Sequence, residues 1–404
     1  MSPDAAIEAL EREAREELVH GILPFWSGPA VDAETGGFVG WVGPDGRPDP
    51  EAPRGGVLNA RILWAFSAAH RGGSTTAAMA ARAADVFTGR FLDPEHGGVY
   101  WTVDRAGRPV DDRKHVYAQA FGVYALAEHH RATGAASSLQ AALALFEQVE
   151  RRARDPEHGG YREAFARDWT PLDDARLGEG DLDVAKSENT HLHVLEAYTT
   201  LLRAAPGPEV EAALRSLVEL FLDRIIDPAG HVLPFFDRDW TVRSRAVSFG
   251  HDIETAWLLA DATDALGDAA LGTRSRDAAL LLTDTVLREG LDREHGGVFY
   301  EVRDGMVDRE KEWWTQAEAV VGFLHAYQDT ARPELLAAAL DTWAFLRTHL
   351  VDREAGEWRR RVDRDGTPQP GHETVGPWKG PYHNTRACLE IMARARTLTT
   401  ADRP

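Results

Sequence analysis

The chain has 404 residues, 43% of them hydrophobic and 27% charged, with a formal net charge of −20. That is apolar material enough for a large buried core, while the charge disfavours nucleic acid and anionic membranes as partners. A lone cysteine, Cys388, excludes an intrachain disulfide and a multi-cysteine zinc site, and no apolar run approaches the ~20 residues of a membrane span.

The first element, Asp4–Trp26, reads as an acidic helix with neither the basic nor the apolar region of a secretory signal, so the expected location is the cytoplasm. A motif then recurs six times, at Asp32 (DAETGGF), Asp93 (DPEHGGVY), Asp155 (DPEHGGYR), Asp227 (DPAGHVL), Asp292 (DREHGGVF) and Asp352 (DREAGEW). Each copy leads into an alternating, aromatic-rich stretch with a turn signal: Asp45-Gly46, Ala106-Gly107, Asp168-Trp169, Asp239-Trp240, Asp304-Gly305 and Asp365-Gly366. A regular period of this kind marks a repeat architecture.

Two helical stretches lie between consecutive motifs, and one follows the last. The first of each pair is apolar nearly all round, as suits burial on both sides: Gly55–Arg71, Val116–Gly134, Asn189–Ala204, Gly250–Gly267, Trp313–Thr330 and Pro381–Thr397. The second carries a regular charged face: Thr75–Leu92, Ala135–Arg154, Glu209–Ile226, Ala270–Leu291 and Pro333–Val351. With Asp4–Trp26 as the sixth outer helix, six inner and six outer helices predict an all-α (α/α)6 barrel. It would be one domain over residues 1–404, with short β-hairpins at one end. All inner helices start at that end, so polar and aromatic residues near their starts are expected to line one cleft.

Those starts read Asn59, Arg61 and Trp64; Lys114, Tyr117 and Gln119; Asn189, His191 and His193; His251, Asp252, Glu254 and Trp257; Trp313, Trp314, Gln316 and Glu318; Trp378, Lys379, Tyr382, His383 and Asn384. His193, His251 and His383 come from three different helices, and imidazole is the side chain suited to proton transfer near neutrality. Asn189 and His193 are i,i+4 and share a face, which leaves His191 as a packing residue. Glu254, three residues after His251, can orient that imidazole or bind a hydroxyl. Trp64, Trp257, Trp313, Trp314 and Trp378 offer indole faces for the apolar side of a pyranose; of the adjacent pair, Trp314 is favoured. Arg61 suits hydroxyl and carbonyl oxygens, or an ion pair with Glu254 or Glu318. Three competing uses remain open: zinc held by the three histidines, glycoside hydrolysis by Asp252, Glu254 or Glu318, and sugar binding without chemistry.

The stretches LNARILWAFS (58–67), KHVYAQAFGVYAL (114–126), KSENTHLHVLEAYT (186–199), SFGHDIETAWLL (248–259), EWWTQAEAVVGFLHAYQ (312–328) and GPWKGPYHNTRACLE (376–390) span all six inner helices. In them the chain resembles the cellobiose 2-epimerases of the N-acylglucosamine 2-epimerase superfamily. The resemblance implies an (α/α)6 barrel that inverts C2 of a reducing-end sugar with no metal or nucleotide cofactor. It implies that His251 and His383 are the acid/base pair and that His193 assists ring opening. Arg61, Tyr117, Asn189 and Glu254 would bind the sugar or enediolate oxygens, and Trp314 and Trp378 would form aromatic walls. Glu188 and Gly380 depart from the family's pattern, which has Met and Cys there. Mannose 2-epimerases and aldose–ketose isomerases share the framework. The expected partners are a sugar alone, for a monomer or weak homodimer, and the loops at 176–187 and 366–376 are expected to set the width of the cleft.

Overall fold

The structure, a computed structural model, describes residues 2–178, 180 and 182–400. Among these residues, helices alternate between two rings. The outer ring comprises α1 (Pro3–Glu17, continued by a π-turn into Leu23–Ser27), α3 (Ala77–Arg90), α5 (Ala136–Arg152), α7 (Pro208–Leu220), α9 (Ala269–Thr285) and α11 (Pro333–Phe345). The inner ring comprises α2 (Gly56–Arg71), α4 (Val116–Thr133), α6 (Glu188–Ala204), α8 (Phe249–Leu266), α10 (Trp313–Thr330) and α12 (Tyr382–Thr400). Each inner helix packs on the next, and α12 returns to α2, closing the barrel.

The pattern of side chains explains the two rings. In α2 every residue from Gly56 to Ala69 is buried, so the helix has no solvent face. In α5 the buried set is Ser138, Ala142, Leu145, Phe146 and Val149, a single stripe at helical spacing. The sequence-predicted outer helices ending at Ile226, Leu291 and Val351 instead finish as π-turns at Phe221–Ile225, Val286–Gly290 and Leu346–Leu350. Ser187 and Ser248 cap α6 and α8 by accepting from the backbone N–H groups of Thr190 (3.2 Å) and His251 (3.3 Å), which fixes the first turns that carry cleft residues.

At the open end, the residues just before each inner helix pair antiparallel with the hairpin of the following repeat. The registers are Arg54↔Val103, Lys114↔Phe165, Lys186↔Phe236, Val247↔Val302 and Lys311↔Val362. A bridge between Val42 and Val375 completes the circle.

The recurring motif aspartate ties this ring together. Asp93 accepts two hydrogen bonds from Arg167 (2.9 and 3.0 Å) and one from Lys114 (3.0 Å). Arg238 and Lys186 stand in the same relation to Asp155, Arg364 and Lys311 to Asp292, and Arg105 and Arg54 to Asp32. In each case one cation precedes the repeat's own inner helix, while the other comes from the next hairpin.

Two hairpins replace the turn glycine with tryptophan. Trp169 and Trp240 take φ of 69° and 71°, the left-handed region occupied by Gly46, Gly107, Gly305 and Gly366 elsewhere. That conformation costs roughly 1–2 kcal/mol. The indoles offset it by donating to the carbonyls of His96 (3.1 Å) and His158 (2.9 Å). They also lie so close over Gly98 and Gly160 that a Cβ there would come within 2.8 and 2.5 Å of the rings.

Candidate active site

Position along each inner helix decides what a residue does. Five residues after the pairing residue, or after Lys379 in the last repeat, stand Asn59, Gln119, His191, Asp252, Gln316 and Asn384. Gln119 accepts from Val99 N (2.6 Å) and donates to Val99 O (2.9 Å), and Gln316 does the same at Val298 (2.7 and 2.8 Å). His191 accepts from Tyr161 N (2.9 Å), and Asp252 from Val232 N (2.8 Å). These side chains satisfy hairpin backbone that the barrel end buries. The sequence-based expectation that polar helix starts all line the cleft is corrected for Gln119, Asp252, Gln316, Lys114, Lys379 and Asn384. The first four bind hairpin backbone or a motif aspartate. Lys379 and Asn384 donate to Glu357 (2.9 and 2.7 Å). His191 lies off the cleft, as its position beside His193 predicts, and supports the hairpin by its hydrogen bond from Tyr161 N.

Seven residues after the pairing residue, or after Lys379 in the last repeat, lies the floor: Arg61, Phe121, His193, Glu254, Glu318 and Arg386. Arg386 is 1% exposed and is paired with Glu196, Glu254 and, at 2.7 Å, Glu318. Its guanidinium lies 4.4 Å from the Tyr382 ring and 4.8 Å from that of Trp257. Trp257, expected on the cleft wall, sits instead beneath the floor, where its indole donates to Glu318 (3.1 Å). Arg61 pairs with neither Glu254 nor Glu318. It donates to Tyr117 Oη (2.9 Å) and Trp378 O (3.0 Å), and it lies 4.5 Å from the Phe121 ring.

Each of the three histidines has a carboxylate at Nδ1. His383 meets Glu318 at 2.7 Å, His193 meets Glu196 at 3.1 Å, and His251 meets Glu188 at 3.2 Å. A carboxylate at Nδ1 favours the tautomer that leaves Nε2 as the free base. The expectation that Glu254 orients His251 is not met, because Glu254 is turned to Arg386. Burial pushes His383 well below the usual imidazole range and lowers His193 too, favouring neutral rings. Burial alone would raise Glu196, but Arg386 and His193 hold it down, to about 2.

His193, His251 and His383 open onto one cleft of about 510 Å³, within the usual range of roughly 300–1,000 Å³ for small-molecule sites. Arg61, Tyr117, Asn189, Glu254, Trp313, Trp314 and Trp378 line it as well. The Trp314 ring is 5.0 Å from His251 and 5.6 Å from His383, so it spans the two imidazoles. Among the described residues, Arg61 Nε, Trp313 Nε1, Asn189 Oδ1 and Glu254 Oε2 are buried without a partner, two donors and two acceptors from four residues that line the cleft. Leu177, Gly178 and Gly180 bring the 176–187 loop to the edge; Glu179 and Asp181 of that loop lie outside the described residues. The sequence reading missed Tyr300, Glu301 and Arg303 of the fifth hairpin, which extend the cleft outward.

Two rival chemistries fit this floor poorly. Among the described residues the three histidines do not converge as a metal-ligand set; Glu254, Glu318 and His383 do, their ligand atoms lying within 4.8 Å, but the Arg386 guanidinium is paired with both carboxylates and repels a cation. The same crowding places Glu254 and Glu318 side by side rather than across a glycosidic bond, as a hydrolase needs.

The fold and cleft are those of an (α/α)6-barrel enzyme acting on carbohydrate. Residues 36–387 match the N-acylglucosamine 2-epimerase (GlcNAc 2-epimerase) family, and the chain belongs to it. It is 40% identical to the cellobiose 2-epimerase of Bacteroides fragilis over 390 residues, 95% of this chain and 99% of that one. The structure of cellobiose 2-epimerase from Spirochaeta thermophila superposes with a TM-score of 0.92 at 41% identity, covering 97% of this chain and 98% of that one. The D-mannose isomerase of Thermobifida fusca is 28% identical, over 92% of each chain. The chain is therefore an isomerase-class sugar enzyme.

Proposed function

We propose that this enzyme inverts C2 of the reducing-end glucose in cellobiose-type β-1,4-disaccharides, giving the mannose configuration. The observation that carries the reading is the set of three carboxylate-backed imidazoles around a cleft whose unpartnered donors and acceptors match a polyol. The higher identity to cellobiose 2-epimerases than to the D-mannose isomerase favours the disaccharide.

His193 assists ring opening and exposes the C1 aldehyde. A neutral imidazole, His383 or His251, then takes the C2 proton through Nε2, and the C–H electron pair becomes the C1=C2 bond of a cis-enediolate. Arg61 and Tyr117 stabilise the negative oxygen, electrostatic help that is often the largest contribution to such a step. The other imidazole, as imidazolium, returns a proton to the opposite face of C2, and each positioned acid or base contributes about 10²–10⁴ in rate. Protonation at C1 from the same intermediate gives a ketose as a side product. Asn189 and Glu254 bind hydroxyls, and Trp313, Trp314 and Trp378 pack on the sugar faces. Arg386 already supplies the positive charge at the floor carboxylates and no step here calls for a metal, so activity is expected to survive a chelator.

The test is incubation with cellobiose. The expected product is a disaccharide of unchanged mass whose reducing-end sugar is mannose. Release of free glucose, or a ketose as the sole product, would contradict the reading.

A further inference from the structure

Glu188 opens α6 and is fully buried; Thr255 Oγ1 donates to its Oε1 (3.4 Å). Its other oxygen, Oε2, has no aligned hydrogen bond among the described residues, yet it lies 3.2 Å from His251 Nδ1. A carboxylate is costly to bury unless a partner recovers that cost. The cation-capable group at this oxygen is the imidazole: Asp252 and Glu254 act on it from α8, and Glu163 shares the small side cavity that Glu188, Asn189 and His251 line. The His251 ring also meets the Trp314 ring, at 5.0 Å. Catalytic hydrogen bonds that are poorly aligned without substrate tighten when it binds.

We infer that Glu188 is a positioning residue for His251: it accepts the Nδ1–H hydrogen bond, holds the Nε2 lone pair toward the substrate, and stabilises the imidazolium formed when Nε2 carries the C2 proton. This rests on the epimerase reading. Burial, reinforced by Glu254 and Asp252, raises Glu188 to about 7, although His251 pulls it down.

Two variants separate the hydrogen bond from the charge. Glu188→Gln keeps an oxygen acceptor but loses the charge, and Glu188→Met loses both. In E188M, kcat on cellobiose is expected to fall about 10–100-fold, the usual effect of removing a group that orients an imidazole, with little change in KM. E188Q loses less, but the acidic limb of its kcat/KM profile moves to lower pH, because a negative charge that favours imidazolium is gone. The second readout needs no turnover: ¹⁵N NMR of the sugar-free enzyme, with His251 assigned from a His251→Asn difference spectrum. Wild type and E188Q are expected to show the Nδ1–H tautomer and E188M to lose it. Unchanged kcat and pH profile in both folded variants, or an Nε2–H tautomer in wild type, would overturn the assignment. If wild type itself left cellobiose unconverted, the epimerase reading would fail, while the tautomer would still decide the place of Glu188.

Discussion

Alanine in place of His383 is expected to slow epimerisation of cellobiose by about 10²–10⁴-fold, while sugar affinity changes little. The reason is positional. His383 is 6% exposed, burial keeps it neutral, and Glu318 holds its Nδ1 at 2.7 Å. Removing the ring takes away the base but leaves the floor intact, because Glu318 keeps Arg386 (2.7 Å) and the Trp257 indole (3.1 Å). The fold is therefore expected to survive, and binding by calorimetry with turnover by product analysis separates the two effects. Turnover within about threefold of wild type would remove His383 from the chemistry, since a positioned acid or base contributes far more than that.

The largest loss of stability is expected at Arg386. One guanidinium pairs with Glu196, Glu254 and Glu318, and the aromatic faces of Tyr382 and Trp257 enclose it. Breaking a buried ion pair by removing one partner costs about 3–5 kcal/mol, because the remaining charge stays buried and unpaired. Here three carboxylates are left, so Arg386→Met is expected to reach at least that range in denaturant unfolding. Lysine is a poor substitute, since a single ammonium cannot match the planar fork. The sign of the pH dependence follows from Glu196. Its folded value is depressed to about 2 from an ordinary 4.5, so its contribution is full above 4.5 and lost as pH falls toward 2. The stability gap between wild type and R386M is thus expected to be widest near neutrality and to narrow in acid. An equal gap at all pH values would show that Arg386 acts by packing alone.

Much of this was legible in the sequence because the architecture repeats. The motif spacing and the contrast between apolar and one-sided helices predict the (α/α)6 barrel directly, and the inner-helix boundaries agree within a few residues. The site was legible where side chains are chemically unusual: His193, His251, His383, Arg61, Tyr117, Asn189, Trp314 and Trp378 meet in one cleft. Trp257 was misplaced because composition shows that an indole is near a helix start but not which side of the helix it leaves. Register supplies the missing signal. Counted from the pairing residue, the fifth position clasps a hairpin and the seventh forms the floor, which separates Gln119 and Asp252 from His193 and Glu254 without coordinates. The same count places Arg386 on the floor, where an arginine in a run read for its histidine drew no notice. The pairing of Glu188 with His251 was not legible at all, because it joins two helices whose relative rotation only packing sets.

The central claim is that imidazoles pass a solvent-exchangeable proton on and off one carbon, and turnover of cellobiose in D2O tests it most directly. The account predicts an epimer carrying one deuterium at C2, found by ¹H NMR and mass spectrometry. An epimer that keeps protium at C2 would contradict it.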